Sequence, residues 1–193
     1  DMPRDSYVQN PKNESKLWFD YWKKRQVPES TIWYEHNGSI VNPELYNRYG
    51  YVTTSLDNHM HGCRDLKDLY DLTSNRLVEI VPDIMKLLDA GYTIYVTADH
   101  GNVYSHAWRT LNAQEKAMLY TNESRGGRHL IFTKEEHLKY FFNENPALKD
   151  EMYIRGNYAV WRTGKCFKSE NEVTHGGCHF LEMIVPFAKI EKK

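Results

Sequence analysis

Three short stretches of this chain concentrate side chains that can hold a metal ion. Asp57 and His61 stand four residues apart, Asp99 and His100 are adjacent, and His175 opens a triplet with Gly176 and Gly177. Imidazole nitrogen mixed with carboxylate oxygen is a donor set that Zn²⁺ or Mn²⁺ accepts. A catalytic ion takes about three protein ligands and keeps a position open for water or substrate. Two such ions about 3.5–4 Å apart can clamp the attacking and leaving oxygens of a phosphoryl displacement. Each stretch alone says little. A lone Asp-x-x-x-His is more often a surface pair, and a lone His-Gly-Gly more often a turn. Asp99-His100 carries more weight, because a charged pair straight after an apolar strand needs a partner or a cation. The order and setting of all three together give the set its force.

Those settings come from the surrounding elements. Residues 51–56 are β-branched and aromatic and read as a strand, with a polar loop at 57–62. Residues 66–90 read as a helix with Leu77, Ile80, Val81, Ile84, Leu87 and Leu88 on its buried face. Pro82 should kink or split that helix, and Gly91 should cap it. Residues 92–97 then read as a second, buried strand ending at Asp99. Strand, helix and strand form a βαβ unit, which implies a parallel sheet with ligands at the C-terminal strand ends.

Upstream, residues 14–25 form an amphipathic helix pattern with Leu17, Trp18, Tyr21 and Trp22 on one face, and Pro28 ends it. A short strand at 31–34 and a turn at 36–39 follow. Downstream, residues 104–127 read as a polar insertion over the site with a helical middle at 113–119. Strands are expected at 129–133 and 185–190, short helices at 135–142 and 180–184, and a strand or hairpin arm at 152–163.

The chain has 193 residues, enough for one domain or a large piece of one. Its 40% hydrophobic and 13% aromatic content supports a core, while a mean hydropathy of -0.72 points to exposed helices or polar insertions as well. A formal net charge of -1 supplies no global basic field for nucleic acid. The 3 cysteines, Cys63, Cys166 and Cys178, are odd in number and widely spaced. That argues against a disulfide framework and for a reducing, cytoplasmic location. No apolar run approaches the roughly 18 residues of a transmembrane helix. The first residues, Asp1-Met2-Pro3-Arg4-Asp5, carry no signal-peptide pattern and do not begin with Met, so a longer parent protein is expected.

Thr97-Ala98-Asp99-His100-Gly101-Asn102 resembles the signature of cofactor-independent phosphoglycerate mutases and other enzymes of the alkaline-phosphatase superfamily. The tail from Thr174 to Phe187 resembles the PglZ branch, where a His-Gly-Gly is followed by a Leu-Glu stretch, here Leu181-Glu182, and a Val-Pro strand, here Val185-Pro186. The loop from Asp57 to His61 and its interval to Asp99 fit the same branch. This resemblance spans about 51–190. It implies an α/β fold with a largely parallel sheet flanked by helices. It also implies an incomplete domain, with residues 1–50 an N-terminal helical or linker part and 51–193 the C-terminal part.

By the same resemblance, the full-length protein holds two divalent ions, Zn or Mn, and this chain alone holds one or none. Asp57, His61 and His175 go to one ion, Asp99 and His100 to the other. His59 matches no ligand, and His179 stands where the family often has a small hydroxyl residue. The superfamily's Ser or Thr nucleophile and a further Asp ligand lie well upstream of the Asp-x-x-x-His loop. Among Asp5, Ser6, Ser15, Asp20, Ser30 and Thr31, none follows an apolar strand and opens a helix, so both are expected outside this chain. Arg125 and Arg128 flank Gly126-Gly127 before a strand. Guanidinium forks suit phosphate oxygens, which makes the two a candidate substrate clamp; a basic surface turn fits them equally well.

The implied function is a metal-dependent phosphohydrolase or phosphodiesterase acting on a phosphoester, nucleotide-derived substrates included. PglZ-like roles in phage defence (BREX/Pgl) or signalling, with partner proteins and no membrane, go with it. Two alternatives stay open: a phosphomutase like the phosphoglycerate mutases, and a non-catalytic interaction module that keeps the fold. The isolated chain is expected to be a poor catalyst.

Overall fold

A computed structural model describes residues 11–120 and 127–193 of the protein. These fall into two compact units. The first takes the described residues up to Leu56, together with Asn75–Tyr95 and Lys189–Lys193. It begins with α1 (Pro11–Lys23), whose aromatic face packs on a parallel pair, β1 (Ile32–His36) and β2 (Arg48–Val52). The Trp18 indole donates to the Trp33 carbonyl at 2.8 Å, and the Tyr34 hydroxyl donates to Glu14 Oε2 at 2.7 Å. Segment 75–95 joins this unit through Tyr92. Its ring meets Tyr49 edge-on at 6.3 Å, and its hydroxyl donates to the Pro43 carbonyl at 2.7 Å. Residues 75–95 therefore pack with those upstream of 50.

The strand expected at 51–56 is shorter and earlier. β2 stops at Val52, and a short helix, α2 (Ser55–Met60), takes the place of the polar loop. The Thr53 hydroxyl oxygen accepts from the Ser55 amide at 3.2 Å, turning the chain out of the strand. Asp57 in the first turn of α2 complements the positive end of its backbone dipoles. The long helix, α3 (Leu66–Asp89), runs through Pro82 without dividing, since one proline removes a single hydrogen bond from a ladder of 24 residues. It ends as expected at Gly91. The Gly91 amide donates to the Leu88 carbonyl at 3.0 Å and the Tyr92 amide to the Leu87 carbonyl at 3.0 Å, the paired pattern of a Schellman cap.

Two expectations of burial do not hold. Leu87 of α3 is buried, but Leu77, Val78, Val81 and Met85 are exposed. Helical spacing shows that residues share a face, not that anything covers it. The strand after α3, β3 (Ile94–Thr97), pairs with the last strand, β10 (Phe187–Ile190), in a two-stranded sheet, and Tyr95 and Val96 are exposed.

The second unit takes Asp57–Ser74 and Val96–Ala188 and holds the main core. Here β5 (His129–Ile131), β7 (Tyr158–Trp161) and β6 (Met152–Arg155) form an antiparallel sheet, with β6 and β7 a hairpin. Leu130, Ala159, Trp161 and Met152 from this sheet close against Leu138, Phe141 and Phe142 of α5 (Glu135–Glu144), Met118 after α4 (Ala113–Ala117), and Phe167. Each fully buried large apolar side chain of this kind contributes roughly 1.5–3 kcal/mol.

A second small sheet places β4 (Val103–Ala107) between β8 (Lys165–Cys166), parallel to it, and β9 (Glu172–Thr174), antiparallel. The molecule is thus mixed α/β with small sheets. Among the described residues the strands do not join into the large parallel sheet expected: β2 pairs with β1 and β3 with β10, not with each other. Strand propensity reveals a strand but not its partner. No helix among the described residues is long and apolar enough to cross a membrane.

Candidate metal centre

The donors are brought together by the register of one strand pair. Val103 of β4 lies opposite Thr174 of β9 in an antiparallel ladder. The chain entering β4 through His100 and the chain leaving β9 through His175 therefore emerge at the same end. The two imidazole rings stack with centroids 3.9 Å apart and planes 17° from parallel. The third donor comes from α2, in the same unit. Met60 is buried with Cys63 and Val173 in a small cluster edged by Leu69, Leu72 and Tyr104. That cluster anchors the last turn of α2 beside β9, one residue pair away from His175.

Asp57, His100 and His175 offer ligand atoms that all lie within 4.8 Å of one another. Asp57 Oδ1 faces His175 Nε2 at 3.2 Å, yet both atoms are buried without a hydrogen-bond partner among the described residues. Buried polar atoms are rarely left so, and a cation between them is the simplest way to satisfy both. The protonation states agree. Burial, with the neighbouring His100 and His61 rings, pushes His175 below the ordinary histidine range against the opposing pull of Asp57, and a neutral imidazole is the form that binds metal. His100 Nδ1 lies 3.1 Å from the Gly101 carbonyl oxygen, which only accepts. The ring proton therefore sits on Nδ1 and the Nε2 lone pair is left for a ligand bond. The donor set fits a divalent cation.

The other two expected ligands stand at the rim. His61 Nε2 is 3.9 Å from Asp57 Oδ1, and Asp99 Oδ1 is 3.6 Å from His100 Nε2 with its side chain 80% exposed. The geometry groups His100 with Asp57 and His175, whereas the family resemblance pairs it with Asp99. The observed cluster thus differs from the expected division of these ligands between two ions. His59 lies exposed on α2.

Arg125 lies outside the described residues. Arg128, the other half of the expected phosphate clamp, is a correction: it is 0% exposed. Its guanidinium forms a two-pronged pair with Glu182, Nε to Oε1 at 3.0 Å and Nη2 to Oε2 at 2.5 Å. Its remaining donor, Nη1, bonds the Thr163 carbonyl at 2.7 Å and also the Lys165 carbonyl. With the guanidinium buried and all three of its nitrogens engaged within the protein, it is not presented to a phosphate in solution.

Sequence reasoning passed over Glu182. Its carboxylate also accepts from the Gly177 amide at 2.9 Å and the His179 amide at 3.0 Å. Burial alone would push this carboxyl up; Arg128 and the two amides outweigh it and hold it below the usual glutamate range. His179 caps α6 (Phe180–Met183): its Nδ1 accepts from the Leu181 amide at 3.2 Å. The spacing His179-x-x-Glu182 is that of a capping box, a signal present in the sequence. His129, which no motif singled out, places Nδ1 3.1 Å from the Gly176 carbonyl. The two glycines after His175 have separate reasons. Gly176 has φ 105°, in the left-handed region, and a Cβ at Gly177 would sit 2.6 Å from Arg128 Nη2 and 2.8 Å from the Trp161 carbonyl.

A family model described as the BREX system PglZ alkaline phosphatase-like domain matches residues 52–190. Comparison with curated proteins and with solved structures gives no match.

Proposed function

The chain belongs to the PglZ alkaline phosphatase-like family, and from that premise we propose that it supplies the metal-holding part of a phosphoester-cleaving site. The observation that carries this reading is the pair of orphaned buried atoms, Asp57 Oδ1 and His175 Nε2, facing each other beside His100. These three residues would hold the first ion, Zn²⁺ or Mn²⁺. Asp99 and His61 are next nearest and would complete a two-ion centre. When bound, such an ion polarises a phosphoryl oxygen and stabilises charge on the departing one. The chain's own residues prepare the site. The Gly101 carbonyl keeps the His100 proton on Nδ1, and burial favours the uncharged form of His175.

The substrate class is a phosphoester, with nucleotide-derived phosphodiesters the leading candidates. The family description supports a place in a BREX system; with it our reading takes a phage-defence role in the cytoplasm, partner proteins of that system and a larger parallel-sheet domain as the setting. A Zn²⁺ and Mn²⁺ titration of the purified chain tests the reading. Saturable binding in the native chain, lost in D57N and H175A, is the expected result. A native chain that binds neither ion with better than millimolar affinity would sink the proposal. Hydrolysis of bis(p-nitrophenyl) phosphate that depends on Asp57 and added metal would extend it to chemistry.

A further inference from the structure

The loops that carry His100 and His175 meet at one residue that is not itself a ligand. The Glu182 carboxylate binds the amides of Gly177 and His179, just after His175. The Glu182 carbonyl accepts from the Gly101 amide at 3.0 Å, just after His100. A Cβ at Gly101 would stand 2.0 Å from the Leu181 carbonyl oxygen, so this loop is seated directly on α6. Arg128 locks the carboxylate from the other side and is itself fixed by the carbonyls of Thr163 and Lys165. We propose that the buried Arg128–Glu182 pair is a positioning device for the metal centre: Glu182 sets the spacing between the loops of His100 and His175, and Arg128 holds Glu182 in place.

This inference rests on the metal reading above and deepens it. A structural ion pair elsewhere would stabilise the fold without touching the donors, and the molecule contains such a pair as a control. Arg109 grips Glu115 with bonds of 2.7 and 2.6 Å, and Glu115 is likewise buried and closes a capping box, at α4. A glutamine at 182 would turn an NH₂ group toward one of the two backbone amides that the carboxylate now accepts from, so it cannot hold both.

The test measures Zn²⁺ affinity by competition with a chromophoric chelator, alongside near-UV circular dichroism. E182Q and the doubly neutral R128Q/E182Q should bind about 10–100-fold more weakly, the usual loss when an outer support of a ligand is removed. E115Q should keep native affinity. A folded E182Q or R128Q/E182Q with native affinity overturns the proposal, as does an equal loss in E115Q. Amide exchange on the unmodified chain decides the matter should neither variant fold. Zn²⁺ should slow exchange at Gly101, Gly177 and His179 together, and unchanged rates at all three overturn the idea. Failure of the native chain to bind Zn²⁺ is a separate result, which removes the metal reading itself and the inference with it.

Discussion

Asp57 brings the one negative charge to the three-donor cluster, so its replacement by asparagine changes charge with little change of shape. D57N should lower Zn²⁺ affinity by more than about 100-fold, beyond what loss of an outer support costs, with an unchanged circular dichroism spectrum. The buried carboxyls predict a pH effect of known sign. Burial pushes Glu115 and Glu182 up, but their arginine and amide partners prevail and both stay below the ordinary glutamate range. A carboxyl depressed in the folded state binds protons more readily when unfolded. Its stabilisation is complete above the unfolded value near 4.3 and is lost as pH falls through the lower folded value. Thermal midpoints should fall steeply below about pH 4.5, and E115Q and E182Q should each flatten that descent. The donors themselves were legible as residue types in the sequence. The role of Arg128 was not, because an arginine beside glycines reads equally well as an exposed clamp, and only tertiary burial distinguishes the two.

Short elements carry the donors, and their attachment is where stability and site geometry meet. Met60 is 1% exposed and ends the helix that bears Asp57. M60A should cost about 2–5 kcal/mol in urea unfolding. The His179 cap gives a second test. H179A should destabilise by about 1 kcal/mol, while H179S, with a hydroxyl oxygen able to accept from the same turn, should stay close to native. The sequence located most elements: the hairpin at 152–163, the helix around 135, the strand before Asp99 and the Gly91 cap. It missed α2, because a run of Asp, Asn and His has no apolar period and resembles a loop until Met60 finds its cluster. It also could not tell which strands pair, since alternation and β-branching mark a strand without naming its neighbour.

At the scale of the whole molecule, each unit exposes apolar surface: Leu77, Val78, Val81 and Met85 in one, Phe180, Met183, Ile184 and Phe187 in the other. Patches of this kind promote association. Sedimentation should show concentration-dependent self-association, which lysine substitutions at Val78 and Met183 should reduce. The expected family was readable from three ordered motifs. The expected large sheet was not realised among the described residues, because a βαβ pattern constrains order along the chain more than pairing across it. The centre itself is stitched from three segments far apart in sequence, around Asp57, His100 and His175. In the unfolded chain these ends wander independently, and gathering them costs the entropy of closing two long loops. A bound ion would therefore act as a reversible cross-link, comparable in logic to a disulfide that forms only after folding. A chelator should then do more than empty the site: it should speed unfolding, and so tie the lifetime of the folded chain to the supply of metal around it.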